Sequence, residues 1–199
     1  MLGVVDYGVG NQGSVLNMYR RLGIEAVRIA SAAEVETAGR LVLPGIGAFD
    51  PCMRRLREAG LEAPLRAAVA RGVPLLGICV GMQMLLEGSD EGVEPGLGLV
   101  PGRAARFPAG ALKVPHMGWN SVRWCADDVL SQSLRDEARF YFVHSYHAVC
   151  TDPASVLGTT VYGAEFASVI RSGRVYGVQF HPEKSHRFGL ALLGNFHRA

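Results

Sequence analysis

The sequence predicts an α/β fold: a largely parallel central sheet flanked by helices, with an antiparallel annex. Three observations carry this. Short apolar runs alternate with helical patterns through the first half of the chain. Those runs are mainly apolar rather than alternating, as strands covered on both faces require. The second half changes to extended patterns with few helices between them and a hairpin signal at Ser172-Gly173.

Taken in order, Leu2 to Asp6 is a strand, followed by a glycine turn and a helix carried by Val15, Leu16, Tyr19 and Leu22, which Gly23 stops. Glu25 to Ile29 is the next strand, and Ser31 with Glu34 forms a capping box over a short helix. Arg40 to Leu43 is a third strand, ended by Pro44-Gly45. Asp50 and Pro51 read as N-cap and first residue of a helix broken near Gly60 and resumed to Arg71. Val73 to Ile78 is the fourth strand and Val80 to Glu87 the helix after it. Strands are then expected at Leu97 to Phe107, Gly118 to Trp124, Phe140 to Val149, Val156 to Tyr162, Ala167 to Ile170 and Val175 to Phe180, with a closing helix over Ser185 to His197. No linker divides the halves, so residues 1–199 are expected to form one domain.

Hydrophobic residues make up 49% of the chain and charged ones 19%, which suits a buried core and argues against disorder. The formal net charge is +2 with scattered Lys and Arg, too weak a pattern for a nucleic-acid surface. The longest apolar stretch, Val73 to Leu86, includes Gly77, Gly81 and Gln83 and falls short of a membrane span. The N-terminus lacks a basic signal-peptide region. Four cysteines without a CxxC pair fit a reducing, cytoplasmic setting.

Ligands in such sheets bind beyond the carboxyl ends of the strands, where Gly8-Val9-Gly10, Pro44 to Gly47 and Cys79 all fall. Gly77-Ile78-Cys79-Val80-Gly81 ends a strand and opens a helix, the nucleophile-elbow pattern with Cys in place of Ser. The N–H of Val80 can help hold an oxyanion, and the helix start favours a thiolate. A buried structural cysteine is the plain alternative, but the two flanking glycines favour function.

A cysteine nucleophile needs a base and the base an orienting carboxylate. His181-Pro182-Glu183 offers both, with Pro182 keeping the segment extended so that residues two apart face the same way. Alone, that tripeptide is weak evidence. A metal site is a poor reading, since two ligands are too few. His116, His144, His147 and His186 stand singly and read as structural or solvent-facing. Pro44-Gly45-Ile46-Gly47 is either a simple turn or a backbone segment whose N–H points at a developing oxyanion, and by itself it does not say which.

Together, PGIGAF, GICVGMQ, VPHMGWN, YFVHSY and GVQFHPEKS, in this order, resemble the class I (triad) glutamine amidotransferases. More narrowly, they resemble the glutaminase subunit of imidazole glycerol phosphate synthase in histidine biosynthesis. The likeness runs from DYGVGN to the last helix. It implies the flavodoxin-like fold of that class and no cofactor. It implies Cys79 as nucleophile, His181 as general base and acid, and Glu183 as its orienter. It places Gly45 and Ile46 on the oxyanion strand, PGIG where the family has PGVG, with Val80 where the elbow commonly has Leu; backbone rather than side chain matters at both. Gln83 and Glu91 match glutamine-binding positions, as does the backbone of His144, Ser145 and Tyr146. Asn11, Trp119, Tyr141 and Lys184 match positions near the interface with a cyclase subunit, although Trp119 is equally readable as a core aromatic.

The implied reaction forms a γ-glutamyl thioester on Cys79 and releases ammonia. The partner cyclase consumes it in making imidazole glycerol phosphate and a purine precursor, AICAR. The rival readings are a glutaminase serving another synthase such as pyridoxal 5'-phosphate synthase, a free-standing hydrolase of γ-glutamyl peptides, and an idle regulatory module.

Overall fold

The computed structural model describes residues 1–108, 113–134 and 138–199. The first half runs β1 (Leu2–Val5), α1 (Gln12–Arg21), β2 (Ala26–Ile29), α2 (Ala32–Thr37), β3 (Arg40–Gly45), α3 (Phe49–Glu58), α4 (Glu62–Ala70), β4 (Leu75–Cys79) and α5 (Val80–Met84). The second half adds β5 (Gly88–Ser89), β6 (Gly102–Arg106), β7 (His116–Ser121), β8 (Arg123–Trp124), β9 (Arg139–His144), β10 (Tyr146–Cys150), β11 (Val156–Tyr162), β12 (Ala164–Ser172), β13 (Val175–Val178) and α6 (His186–Arg198). The main sheet has the order β2-β1-β3-β4-β13-β12-β10-β6-β5, with β11 and β8 joined at β12.

The strands from β2 to β13 are all parallel. Every residue of β1, β4 and β13 is buried, which explains why these runs carry no polar alternation. From β13 through β12 and β10 to β6 the pairing is antiparallel, starting at the Ser172-Gly173 hairpin, where Ser172 pairs Val175, and the short edge strand β5 pairs β6 in parallel. The annex is this antiparallel part together with a separate two-stranded sheet, β7 with β9.

Several local expectations shift. Pro44 and Gly45 lie inside β3 instead of ending it, because Pro44 and Gly45 remain in register with Ile78 and Cys79. The helix after the elbow is five residues long, shorter than the Val80 to Glu87 expected, and β5 follows it. Only Gly102–Arg106 of the Leu97 to Phe107 run is a strand. The run Phe140 to Val149 divides at Ser145 between the two sheets, with β9 on β7 and β10 on β6 and β12.

The start of α3 is the clearest correction. Ala48, not Asp50, is its N-cap and has no side-chain bond to offer. The N–H of Phe49, which has no partner within its helix, is satisfied from afar by Glu91 Oε2 at 2.8 Å. Asp50 instead accepts from the backbone N–H groups of Val93 and Glu94, each at 3.1 Å, and so holds the loop carrying Glu91. The Ser31–Glu34 capping box is present as expected. Among the described residues no helix is long and apolar enough to cross a membrane.

Candidate functional site

Strand order places the site. β4 lies between β3 and β13, all three parallel, so their carboxyl ends open side by side. Cys79 ends the middle strand, in register with Gly45 of β3 on one side. On the other side β13 pairs β4 as far as Val178 with Ile78, and the chain then continues to His181.

Cys79 has φ +56° and ψ −115°, a strained conformation for a residue with a side chain and the one an elbow needs. The flanking glycines follow from close packing. A Cβ on Gly81 would run into the carbonyl oxygen of Leu43, and one on Gly45 into the backbone nitrogen of Gly81. The short helix thus lies against β3 and β4 at a distance no side chain permits, which sets Val80, its first residue, beside Gly45. The N–H of Val80 has no partner within that helix.

His181 is fixed from several directions. Its N–H donates to Tyr141 O at 2.9 Å, and Ser185 Oγ donates to its carbonyl at 2.6 Å while accepting from Tyr141 N at 3.0 Å. Its Nδ1 lies 2.8 Å from Glu183 Oε1, with both side chains almost wholly buried. Pro182–Lys184 is a 3-10 turn, so Glu183 reaches His181 by folding back and not along an extended segment as expected. Burial alone would lower the His181 pKa. Hydrogen bonds to the Cys79 sulfur and Glu183, with the negative charge of a thiolate and a carboxylate, outweigh it and raise the pKa to about 9. An imidazolium at this position is what a thiolate nucleophile requires beside it.

A cavity of about 300 Å³ opens on Cys79, small among ligand clefts and suited to an amino acid. Gly47, Val80, Gln83, Glu91 and the segment His144 to Tyr146 line it. Gln83 donates its amide hydrogens to Tyr146 O at 3.1 Å and Gln179 Oε1 at 3.2 Å. Glu91 is exposed, with one oxygen committed to Phe49 N. Ser145 is the link between β9 and β10, and its carbonyl accepts from Phe107 N at 3.1 Å. The Ile46 side chain is 44% exposed, and its carbonyl accepts from the Cys52 thiol at 3.2 Å. A trans peptide points its N–H opposite to its carbonyl, so this contact orients the Gly47 N–H away from Cys52.

The structure gathers Trp119, Tyr141 and Lys184 on one face: the Trp119 and Tyr141 rings are 6.0 Å apart and Lys184 Nζ lies 5.6 Å from the Tyr141 ring centre. Trp119 is 46% exposed and therefore not a core aromatic; His186 stacks on it at 5.3 Å. Asn11 stands at the start of α1 after Gly10, whose backbone approaches Pro44.

Sequence reasoning missed Gln179, fully buried, whose amide points at Cys79 Sγ from 3.9 Å. Its place two residues before His181 was the available signal. Tyr7, which donates to Pro44 O at 2.9 Å and so anchors the end of β3, had none. His116, His144 and His147 stand singly in the sequence but converge on Phe107 in the fold, with ring centres 6.5, 5.3 and 4.8 Å from it.

The family model for glutamine amidotransferase class-I matches residues 3–198. The chain belongs to this family. Among curated proteins, this amidotransferase is 48% identical to the imidazole glycerol phosphate synthase subunit HisH of Bdellovibrio bacteriovorus, over 98% of both chains. It is 44% identical to HisH 2 of Methanococcus maripaludis over 98% of both. It is 47% identical to HisH of Salinibacter ruber over 98% of this chain and 93% of that one. Among solved structures, PurLQS from Thermotoga maritima superposes with a TM-score of 0.78 at 18% identity, covering 99% of this chain and 97% of that chain. A structure described as a glutamine amidotransferase superposes at 0.71 with 24% identity, over 97% of this chain and 98% of that one. These last two likenesses speak to the fold. In the amidotransferase described here, a thiol on a strained elbow, an imidazole held by a buried carboxylate and the free N–H of Val80 at the helix start together can perform acyl transfer from an amide.

Proposed function

We propose that this chain is the glutaminase subunit of an imidazole glycerol phosphate synthase, built as one amidotransferase domain over residues 1–199. It hydrolyses glutamine to glutamate and ammonia and delivers the ammonia to a cyclase subunit. The carrying observation is the line Cys79–His181–Glu183 at the carboxyl ends of adjacent parallel strands, facing an amino-acid-sized cavity.

In this reading the Cys79 thiolate attacks the γ-amide carbon. The N–H groups of Val80 and Ile46 donate to the oxyanion, an effect worth about 3 kcal/mol per donor. Gly45 allows the two segments to approach. His181 as imidazolium gives its proton to the departing ammonia, leaving the γ-glutamyl thioester. The now neutral His181 takes a proton from water, whose oxygen attacks the thioester and frees glutamate and the thiolate. Glu183 holds the imidazole and balances its charge. Gln83, with its amide hydrogens committed, presents Oε1 to the substrate ammonium, and Glu91 offers its second carboxylate oxygen. The backbone of His144, Ser145 and Tyr146 takes the α-carboxylate.

The face of Trp119, Tyr141 and Lys184, together with Asn11, is the docking surface for the cyclase. Support comes from the exposed indole, with Met117 62% exposed on the same side of β7, and from the word subunit in the names of the HisH relatives. Four free thiols suit a reducing, cytoplasmic setting.

The test is glutamate release from glutamine by the chain alone and with the cyclase subunit and its ligand. A rise on adding the loaded partner is expected. Equal release with and without it would point to a free-standing amidase and overturn the synthase assignment.

A further inference from the structure

Behind the cavity runs a second polar chain that this reaction does not use. His116 Nδ1 lies 3.0 Å from His144 Nε2, and His144 Nδ1 lies 2.8 Å from the carbonyl oxygen of Tyr146. At the far end, Asn120 Nδ2 lies 3.3 Å from His116 Nε2. Hydrogen-bond chemistry dictates where each proton sits. A carbonyl only accepts, so Nδ1 of His144 carries its proton. A neutral imidazole has one N–H, so Nε2 of His144 accepts and the proton in the 3.0 Å contact belongs to Nδ1 of His116. His116 Nε2 is then an acceptor for the Asn120 amide, whose nitrogen also donates to Val161 O while its oxygen accepts from Ser121 N. Each donor meets an acceptor, and the two imidazole N–H groups both point along the chain toward Tyr146.

Both rings are built to stay neutral and in place. They are buried, at 3% and 5% exposure, and burial pushes their pKa values down to about 4 for His116 and about 3 for His144. His116 is stacked between Phe142 and Tyr162, with ring centres 4.8 and 4.1 Å away. The chain ends on the one carbonyl that also receives Gln83 Nε2, at 3.1 Å. That carbonyl belongs to the wall of the cavity, just after the break at Ser145 where the backbone leaves one sheet for the other.

We infer that His116 is a positioning residue for glutamine: acting through the neutral ring of His144, it sets the Tyr146 carbonyl, and with it the cavity wall and the Gln83 amide. The inference rests on the glutaminase reading above and adds to it a residue that does not line the cavity.

Two variants separate this role from packing. His116→Phe keeps a ring between Phe142 and Tyr162 but leaves Nε2 of His144 without a donor. His116→Gln loses the stacking but can donate and accept. Kinetics of glutamate release by the full chain, with its cyclase partner, should show KM for glutamine up roughly tenfold in His116→Phe, at a kcat within about twofold of the parent. His116→Gln should recover most of that KM although it melts lower. A KM that tracks the loss of melting temperature, with the Gln variant worse than the Phe variant, would overturn the inference, as would an unchanged KM in both.

Long-range nitrogen–proton correlation spectra of the ¹⁵N-histidine-labelled protein provide the readout that needs no activity. His116 and His144 are expected neutral and protonated at Nδ1 alone; a proton on Nε2 of His144, or a charged ring, would overturn the relay. A wild-type chain that released no glutamate even with its loaded cyclase partner would refute the glutaminase reading by itself, and these spectra would still decide the relay.

Discussion

Replacing Glu183 with Gln isolates the charge that holds His181. The side chain keeps its size, and its amide oxygen can still accept from Nδ1, so ring orientation survives while the negative charge 2.8 Å away is lost. The distance between the ordinary imidazole value of 6.5 and the value of about 9 reached here corresponds to a preference for imidazolium on the order of 3 kcal/mol. Burial opposes that preference, and Cys79 and Glu183 share it. Removing Glu183 takes away a charge-assisted hydrogen bond, worth on the order of 2 kcal/mol.

The sign follows from linkage: a raised histidine pKa contributes stability that is complete below 6.5 and disappears as pH climbs through about 9. The same window bounds the imidazolium that protonates departing ammonia. The assay is kcat/KM for glutamate release between pH 6 and 10, whose alkaline limb reports the Cys79–His181 pair as a unit. Glu183→Gln should move that limb down by about one pH unit or more and lower the plateau roughly tenfold or more. A limb at the parent pH with a plateau within twofold would refute the reasoning, because the carboxylate would then contribute orientation only.

Other perturbations bear on separate links. Gly81→Ala forces a Cβ into the Leu43 carbonyl and should destabilise the fold by about 1 to 3 kcal/mol, read as a melting-temperature drop of several degrees. Asp50→Ala removes the acceptor for Val93 N and Glu94 N; amide exchange should speed up at both, and KM for glutamine should rise as the loop holding Glu91 loosens. Trp119→Ala should leave the melting temperature of the chain nearly unchanged but weaken cyclase association by about 2 kcal/mol, measured calorimetrically.

The legible parts of this molecule are those in which short stretches declare themselves. Fully apolar runs separated by helical periods announced the parallel strands, and the glycines around Cys79 announced the elbow, because close approach of backbone to backbone admits no other residue. What stayed hidden depends on partners distant in sequence. Asp50 looks like a helix cap by local chemistry, yet the cap comes from Glu91 across the fold. The run Phe140 to Val149 reads as one strand, and only pairing with β7 on one side and with β6 and β12 on the other reveals the break at Ser145. His116 and His144 are 28 positions apart, so nothing local joins them. Glu183 meets His181 through a 3-10 turn, where the sequence predicts an extended segment, because Pro182 opens the turn.

The most direct test of the central claim is Cys79→Ala in the complete complex with the cyclase, comparing glutamine and ammonium salts as nitrogen source. Ala adopts the elbow conformation about as well as Cys, so the assembly should persist. Loss of glutamine-dependent synthesis with ammonia-dependent synthesis preserved is the predicted result. Survival of both activities would contradict the assignment of Cys79 as the nucleophile.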